Sequence, residues 1–171
     1  IKYFRGSEEN VYDRVLKTHQ AFDTDIIVEL TGDCILIDAY SIEETIKLYL
    51  NNTYDYAALV DPVGMGAQVY SLKTLESVSM NRELEYIDKE HVTPYIYNSG
   101  KYNIFKGKIY DNLNCPELFL VLDTVEDWEV LDNICKNFSD FDFSFEDIVK
   151  FVKDNPHKIS ANRYIHRKGL T

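Results

Sequence analysis

The sequence predicts an α/β chain in three layers, with a mostly parallel mixed sheet flanked by helices. Three observations carry this reading. Short β-branched or wholly apolar runs recur at 26–30, 55–60 and 118–122, the pattern of buried strands. Helix openings of the capping-box kind stand after them at Ser41-Ile42-Glu43-Glu44 and Thr124-Val125-Glu126-Asp127, where a hydroxyl is followed three positions on by an acid, and Ser144-Phe145-Glu146-Asp147 starts a last helix. Strand-like and helix-like segments alternate along the chain, as they do in a sheet covered by helices.

In order, residues 1–4 read as a short strand, and Gly6-Ser7 leads into a helix over about 9–22 with Val11, Val15 and Phe22 on one face. Residues 25–30 form the strand around which the chain is organised. The helix opened by Ser41 is expected to turn Ile42, Ile46, Tyr49 and Leu50 inward. Strands follow at 55–60 and 67–72, separated by Val63-Gly64-Met65-Gly66, and then a helix over 72–79. Residues 83–97 become helical in their second part, with Pro94 at a start or a kink. Strands are read at 102–105 and 117–122. The second is apolar throughout and therefore central. The helix after Thr124 carries Trp128, Leu131, Ile134, Cys135 and Phe138, and the one after Ser144 carries Phe145, Ile148 and Val152.

The chain has 171 residues, 45% of them hydrophobic, enough for one domain with a substantial core. Eighteen basic residues against 29 acidic ones give a net charge of −11. That argues against a nucleic-acid polymer or an anionic membrane as the main partner. A single nucleotide stays compatible, because a divalent cation offsets phosphate charge locally. Cys34, Cys115 and Cys135 have no metal-ligand spacing and are odd in number, which fits reduced thiols in the cytoplasm. No apolar run reaches the length of a membrane span. The opening Ile1-Lys2-Tyr3-Phe4-Arg5 has no signal-peptide pattern and no initiator Met. It reads as the middle of a strand, so the chain is expected to begin inside a larger protein.

The chemistry gathers at two strand ends. Asp33 follows the apolar run 26–30 and the break Thr31-Gly32, and Asp123 follows the run 118–122. In open α/β sheets ligands bind outside the carboxyl ends of the strands. Two carboxylates, with water and phosphate oxygens in the remaining positions, are a usual Mg²⁺ site. The plainer readings are a solvated Gly-Asp turn at Asp33 and a helix cap at Asp123. Asp23-Thr24-Asp25 and Asp140-Phe141-Asp142 match an Asp-x-Asp pattern, but neither sits at a strand end, and both are read as chance. The four histidines show no paired ligand spacing. Gly64-Met65-Gly66 is followed by no Gly-Lys-Ser/Thr helix start.

Four stretches together resemble a known family. The segment from Phe4 to Arg14, Phe-Arg-Gly-Ser-Glu-Glu-Asn-Val-Tyr-Asp-Arg, is similar to the RGS-E-x-V-x-DR segment of cytidylyltransferases related to spore-coat polysaccharide biosynthesis proteins and 3-deoxy-manno-octulosonate cytidylyltransferases. Thr31-Gly32-Asp33-Cys34-Ile35-Leu36-Ile37-Asp38 resembles that group's TGDCPLID motif, with Ile35 in place of Pro. Glu90-His91-Val92-Thr93-Pro94-Tyr95-Ile96 resembles EHVTPYI. Leu122-Asp123-Thr124-Val125-Glu126-Asp127-Trp128 resembles LDTPEDF, with Val125 in place of Pro and Trp128 in place of Phe.

The resemblance implies a glycosyltransferase-A-like (nucleotide-diphospho-sugar transferase) fold, with residues 1–155 a partial nucleotidyltransferase-like domain and 156–171 a basic C-terminal tail. It implies that a sugar hydroxyl attacks the α-phosphate of CTP, giving a CMP-sugar and pyrophosphate for surface polysaccharide, with Mg²⁺ as cofactor. Asp33 and Asp123 match the metal ligands and catalytic positions. Arg5, Ser7, Asp13, Arg14, Thr31 and Gly32 match the nucleotide side, although Asp13 and Arg14 also suit an ordinary helix ion-pair set. Glu90 and His91 fall on the sugar side, with Gln68 at a place where many relatives carry Glu. A homodimer is left open. The Gly/Ser-rich loop with Arg and Lys that opens relatives has no match here, which makes the expected fold N-terminally incomplete. Two other readings compete: a metal-dependent glycosyltransferase of the same fold, and a non-catalytic subunit or fragment that retains it.

Overall fold

The computed structural model describes residues 1–81, 83–108, 118–138 and 143–165. The chain divides into two compact units, one of Ile1–Glu29, Glu43–Ala58 and Ala67–Lys106, the other of Leu30–Ile42, Leu59–Gly66 and Gly107–Thr171.

The first unit holds helix α1 (Val11–Ala21), strand β1 (Ile26–Glu29), most of helix α2 (Ala39–Leu50), the start of β2 (Tyr56–Asp61) and β3 (Gln68–Ser71). Helices α3 (Leu72–Asn81), α4 (Tyr86–His91) and α5 (Pro94–Asn98) and most of β4 (Ile104–Lys108) complete it. The sheet is mixed, four strands in the order β1-β3-β2-β4, flanked by helices. β3 runs antiparallel to both neighbours, with Ile27 opposite Tyr70 and Glu29 opposite Gln68 on one side, and Tyr56 opposite Tyr70 on the other. In these pairs the direction departs from the mostly parallel arrangement expected. The cause is the six-residue return from β2 to β3, too short for the crossover that parallel neighbours need. The core gathers Tyr12, Ile27, Tyr56, Ala58, Tyr70, Leu75, Val78, Val92 and Ile96.

Local signals explain these elements. Asn10 caps α1 by accepting the Asp13 amide at 3.0 Å. Residues 1–4 are not a strand and have no regular structure. β1 is packed on one face only: Ile27 is buried, while Ile26 and Val28 alternate onto the other face at 40% and 38% exposure. α2 begins three residues before the start that a Ser41 cap would give because Asp38, not Ser41, is the cap, its carboxylate accepting the Ser41 amide at 2.9 Å. The face expected inward differs from the observed one: Ser41 and Thr45 are buried, and Leu50 is exposed. The helical part of 83–97 is two short helices, with Pro94 in the first turn of α5, where its missing N–H costs nothing.

The second unit is built on α6 (Val125–Asn137) and α7 (Phe145–Asp154), followed by a 3₁₀ turn at Pro156–Ile159. Both helices open with capping boxes, Thr124 with Asp127 as read in the sequence and Ser144 with Asp147 at the helix start read there. Leu36, Met65, Leu118, Leu120, Leu131, Ile134, Phe145, Ile148 and Ile159 are among its core residues. Trp128, on the same helix as Leu131 and Ile134, is exposed. Residues 118–122 are extended but do not form a regular strand: they carry a parallel bridge of Phe119 to Val63. Gly64 permits this approach, and Gly66 a separate one to β2. A Cβ on Gly64 (φ +98°) would meet the Leu120 carbonyl at 2.6 Å, and one on Gly66 would stand 1.8 Å from the Leu59 oxygen. These glycines serve backbone packing. Asn162 donates to Asp127 Oδ1 at 2.8 Å and to the Phe119 carbonyl at 3.1 Å. The tail residues His166, Arg167 and Lys168, together with Cys115, Asp140 and Asp142, lie outside the described residues.

Candidate functional site

Within the second unit, one hydrogen bond brings the two sequence-read carboxylates to the same place. The Leu122 amide donates to the Asp33 carbonyl at 3.0 Å, so Asp123 follows directly on the residue that pairs with Asp33. One step earlier on the same segment, the Leu120 amide donates to the Val63 carbonyl at 3.0 Å. Asp33 is held by a tight turn in which the Cys34 amide donates to the Thr31 carbonyl at 3.2 Å, with Thr31 Oγ1 3.0 Å from Cys34 Sγ. Burial pushes the Cys34 thiol up, the Thr31 hydroxyl opposes this, and the negative charges of Asp33 and Asp123 raise it further. Both carboxylates thus act on one sulfur.

The two acids differ in setting. Asp33 Oδ1 is buried and accepts no hydrogen bond among the described residues. A buried anionic oxygen left in that state is costly. Asp123 is exposed, and helix capping falls to its neighbours. Thr124 Oγ1 accepts the Asp127 amide at 3.2 Å, while Asp127 Oδ2 accepts the amides of Asp123 and Thr124 at 3.1 and 2.9 Å. Asp127 is fully buried and fixes the backbone on which Asp123 stands. Among the described residues, no cluster of three or more His, Cys, Asp or Glu side chains could hold a metal alone. Two carboxylates, one carrying an orphaned oxygen, suit a hard cation whose other positions go to water and phosphate.

Thr31 and Gly32 share this turn with Asp33. Gly32 has nothing within 4 Å of a would-be Cβ, so close packing does not require glycine there. Arg5, Ser7, Asp13 and Arg14 belong to the first unit and largely make local contacts. Ser7 Oγ accepts the Asn10 amide at 3.0 Å, Arg14 Nη1 donates to the Ser7 carbonyl at 2.5 Å, and Asp13 pairs with Lys17 at 2.8 Å. Arg5 is exposed.

Also in the first unit, Gln68 and the Glu90-to-Ile96 segment are joined by Thr93. Gln68 Oε1 accepts the Thr93 hydroxyl at 2.6 Å and the Tyr56 hydroxyl at 2.9 Å. Glu90 and His91 close α4, both half-exposed, with His91 Nε2 3.9 Å from Glu90 Oε2. Tyr70, two residues after Gln68 on β3, donates to Glu29 and lies 6.3 Å from Tyr56, ring to ring. Burial holds the Glu29 carboxyl above the usual carboxylate range, against the pull of the Tyr70 hydroxyl. Tyr56, Thr93, Tyr70 and Glu29 escaped sequence reading. The period of two that puts Gln68 and Tyr70 on one face of β3 is the signal that could have found Tyr70.

No helix among the described residues is long and apolar enough to cross a membrane. The sequence profile of a family described as "Cytidylyltransferase" matches residues 1–156. An uncharacterized protein of Methanocaldococcus jannaschii is 29% identical over 99% of this chain, which spans 70% of that protein. The spore coat polysaccharide biosynthesis protein SpsF of Bacillus subtilis is 29% identical over 91% of this chain and 66% of its own length. Among solved structures, a cytidylyltransferase from Leptospira borgpetersenii superposes with a TM-score of 0.82 at 30% identity, covering 96% of this chain and 70% of its own. The chain therefore spans about two thirds of the length of the proteins it matches.

Proposed function

This chain belongs to the cytidylyltransferase family, a family of nucleotidyltransferases, and we propose that it activates a sugar with CTP in a Mg²⁺-dependent reaction in the cytoplasm. The product is a CMP-sugar, and similarity to a spore coat polysaccharide biosynthesis protein supports surface polysaccharide as its destination. In the reaction a bond forms between a sugar hydroxyl oxygen and the α-phosphorus of CTP. The bond from that phosphorus to the bridging oxygen of the β-phosphate breaks, pyrophosphate leaves and the hydroxyl proton is released.

The observation that carries this reading is the junction of Asp33 and Asp123 through the Leu122–Asp33 hydrogen bond, with Asp33 Oδ1 buried and lacking a donor. Asp33 and Asp123 would hold the Mg²⁺. When bound, the ion supplies electrostatic stabilisation for the charge that develops on the phosphates. The protein's own part is positional. The turn from Thr31 to Cys34 fixes the Asp33 backbone, and the capping box of α6 fixes Asp123.

The test is pyrophosphate release from CTP across a sugar panel, with and without Mg²⁺. Asp33→Asn and Asp123→Asn are each expected to lower the rate by about 100-fold or more, and chelation of Mg²⁺ should abolish it. Release that persists at the native rate in both variants would sink the reading.

A further inference from the structure

The two helices of the second unit open with the same capping box, and one of them carries more than the box. At α7, Asp147 Oδ2 accepts the Ser144 amide at 2.9 Å and the Ser144 hydroxyl at 2.8 Å, and Asp147 is exposed. At α6, Asp127 Oδ2 makes the matching pair with the Thr124 amide and hydroxyl, at 2.9 and 3.0 Å. It also accepts the Asp123 amide at 3.1 Å, and the whole side chain is buried. Its second oxygen, Oδ1, accepts Asn162 Nδ2 at 2.8 Å. Capping a helix needs no such partner, as α7 shows.

Asn162 holds more than Asp127. The same nitrogen donates to the Phe119 carbonyl at 3.1 Å, so both of its hydrogens are engaged. One acceptor stands four residues before Asp123 and the other four residues after it. Asn162 therefore ties together the two ends of the span 119–127, whose middle residue is Asp123. The Leu122 amide joins that same span to the Asp33 carbonyl. Asn162 is itself buried, and the segment that carries it is anchored. Ile159 sits in the core, and Asn133 of α6 donates to the Lys158 carbonyl at 3.0 Å. Residue 162 lies beyond the family match, which ends at 156.

We propose that Asn162 is a positioning residue for Asp123, so that part of the basic tail read in the sequence serves the cation site. This rests on the cation-holding role of Asp33 and Asp123 in the reading above. A carboxylate on a surface segment is a weak ligand when its backbone wanders, because binding must then order it. Bracing the span at both ends removes that cost before the ion arrives, as partners behind a metal ligand generally do.

The experiment titrates the full chain with Mn²⁺ in the presence of CTP and reads water-proton relaxation, which changes when the ion joins the slowly tumbling protein. Mn²⁺ takes oxygen ligands as Mg²⁺ does. Asn162→Ala and Asn162→Asp should each weaken Mn²⁺ binding at least fivefold. Asp147→Ala opens the box of α7 and serves as the control for a merely structural loss; its Mn²⁺ affinity should stay within twofold of native. Asp123→Asn should abolish binding. If Asn162→Ala fails to fold, Asn162→Asp, which keeps the size of the side chain, carries the test. Native affinity in the Asn162 variants, or an equal loss in Asp147→Ala, overturns this assignment and, with binding lost in Asp123→Asn, leaves the cytidylyltransferase reading standing. A native chain that binds no Mn²⁺ with CTP, or an Asp123→Asn chain that binds it as tightly as native, counts against that reading and the assignment together.

Discussion

The Asp33–Asp123 site and the Gln68 cluster handle buried polarity in opposite ways. Around Gln68, the polar atoms pair with one another: the Gln68 carbonyl takes two hydroxyls, and the Glu29 carboxyl takes the Tyr70 hydroxyl. At Asp33, a buried carboxylate oxygen has no donor among the described residues, and the neighbouring thiol is pressed by two negative charges. A satisfied network is a finished piece of structure whose value lies in orientation. A buried carboxylate oxygen without a donor is instead a place where a partner from outside the chain would add stability.

The largest effect on stability that this contrast predicts comes from the scaffold of the charge site. Asp127 is fully buried, accepts two amides and receives the Asn162 side chain. Asp127→Ala removes the cap and strands those donors, so chemical denaturation should show a loss of about 2–4 kcal/mol. It should also weaken Mg²⁺-dependent CTP binding, because the Asp123 backbone loses its anchor. A change below about 0.5 kcal/mol would mean that the network does not hold the site.

A smaller effect belongs to the satisfied region. Tyr70→Phe deletes the donor to Glu29 and should cost about 1–3 kcal/mol by leaving a buried acceptor unpaired. The pH dependence sharpens this. Burial raises the Glu29 carboxyl in the folded protein, so the folded state holds that proton more tightly than the unfolded chain. Its contribution is fully present below the ordinary glutamate range and is lost as pH rises through the raised folded value. Removing Tyr70 raises that value further and widens the window. Glu29→Gln should flatten the stability profile above the glutamate range, and an unchanged slope in urea titrations across that interval would contradict the assignment.

These regions differ equally in how far the sequence reveals them. The carboxylates at Asp33 and Asp123 were legible because each follows an apolar run, and α6 and α7 because Ser/Thr and Asp stand three apart at their starts. The run 118–122 was read as a regular strand from its apolar content. Burial of Leu118 and Leu120 accounts for that content, and hydrophobicity alone says nothing of ladder partners. The Gln68 cluster draws on positions 29, 56, 68, 70 and 93. Tyrosine and threonine hydroxyls at such distances carry no local signature, since their roles arise only once strands pair. The positive φ of Val92 was hidden for a sharper reason. Glycine and asparagine announce positive φ, whereas a valine there argues against it.

The central claim, that Asp33 and Asp123 together hold the cation that brings CTP to this chain, is tested most directly by thermal unfolding. Melting temperatures would be measured with CTP, with Mg²⁺ and with both, for the native chain, Asp33→Asn and Asp123→Asn. A ligand that binds only the folded state stabilises it by about 2.7 kcal/mol at a hundredfold excess over Kd, or roughly 7 °C for a chain of this size. The account predicts that rise only when CTP and Mg²⁺ are both present, and its loss in each variant. A rise with CTP that survives both substitutions, or no rise in the native chain, would contradict it.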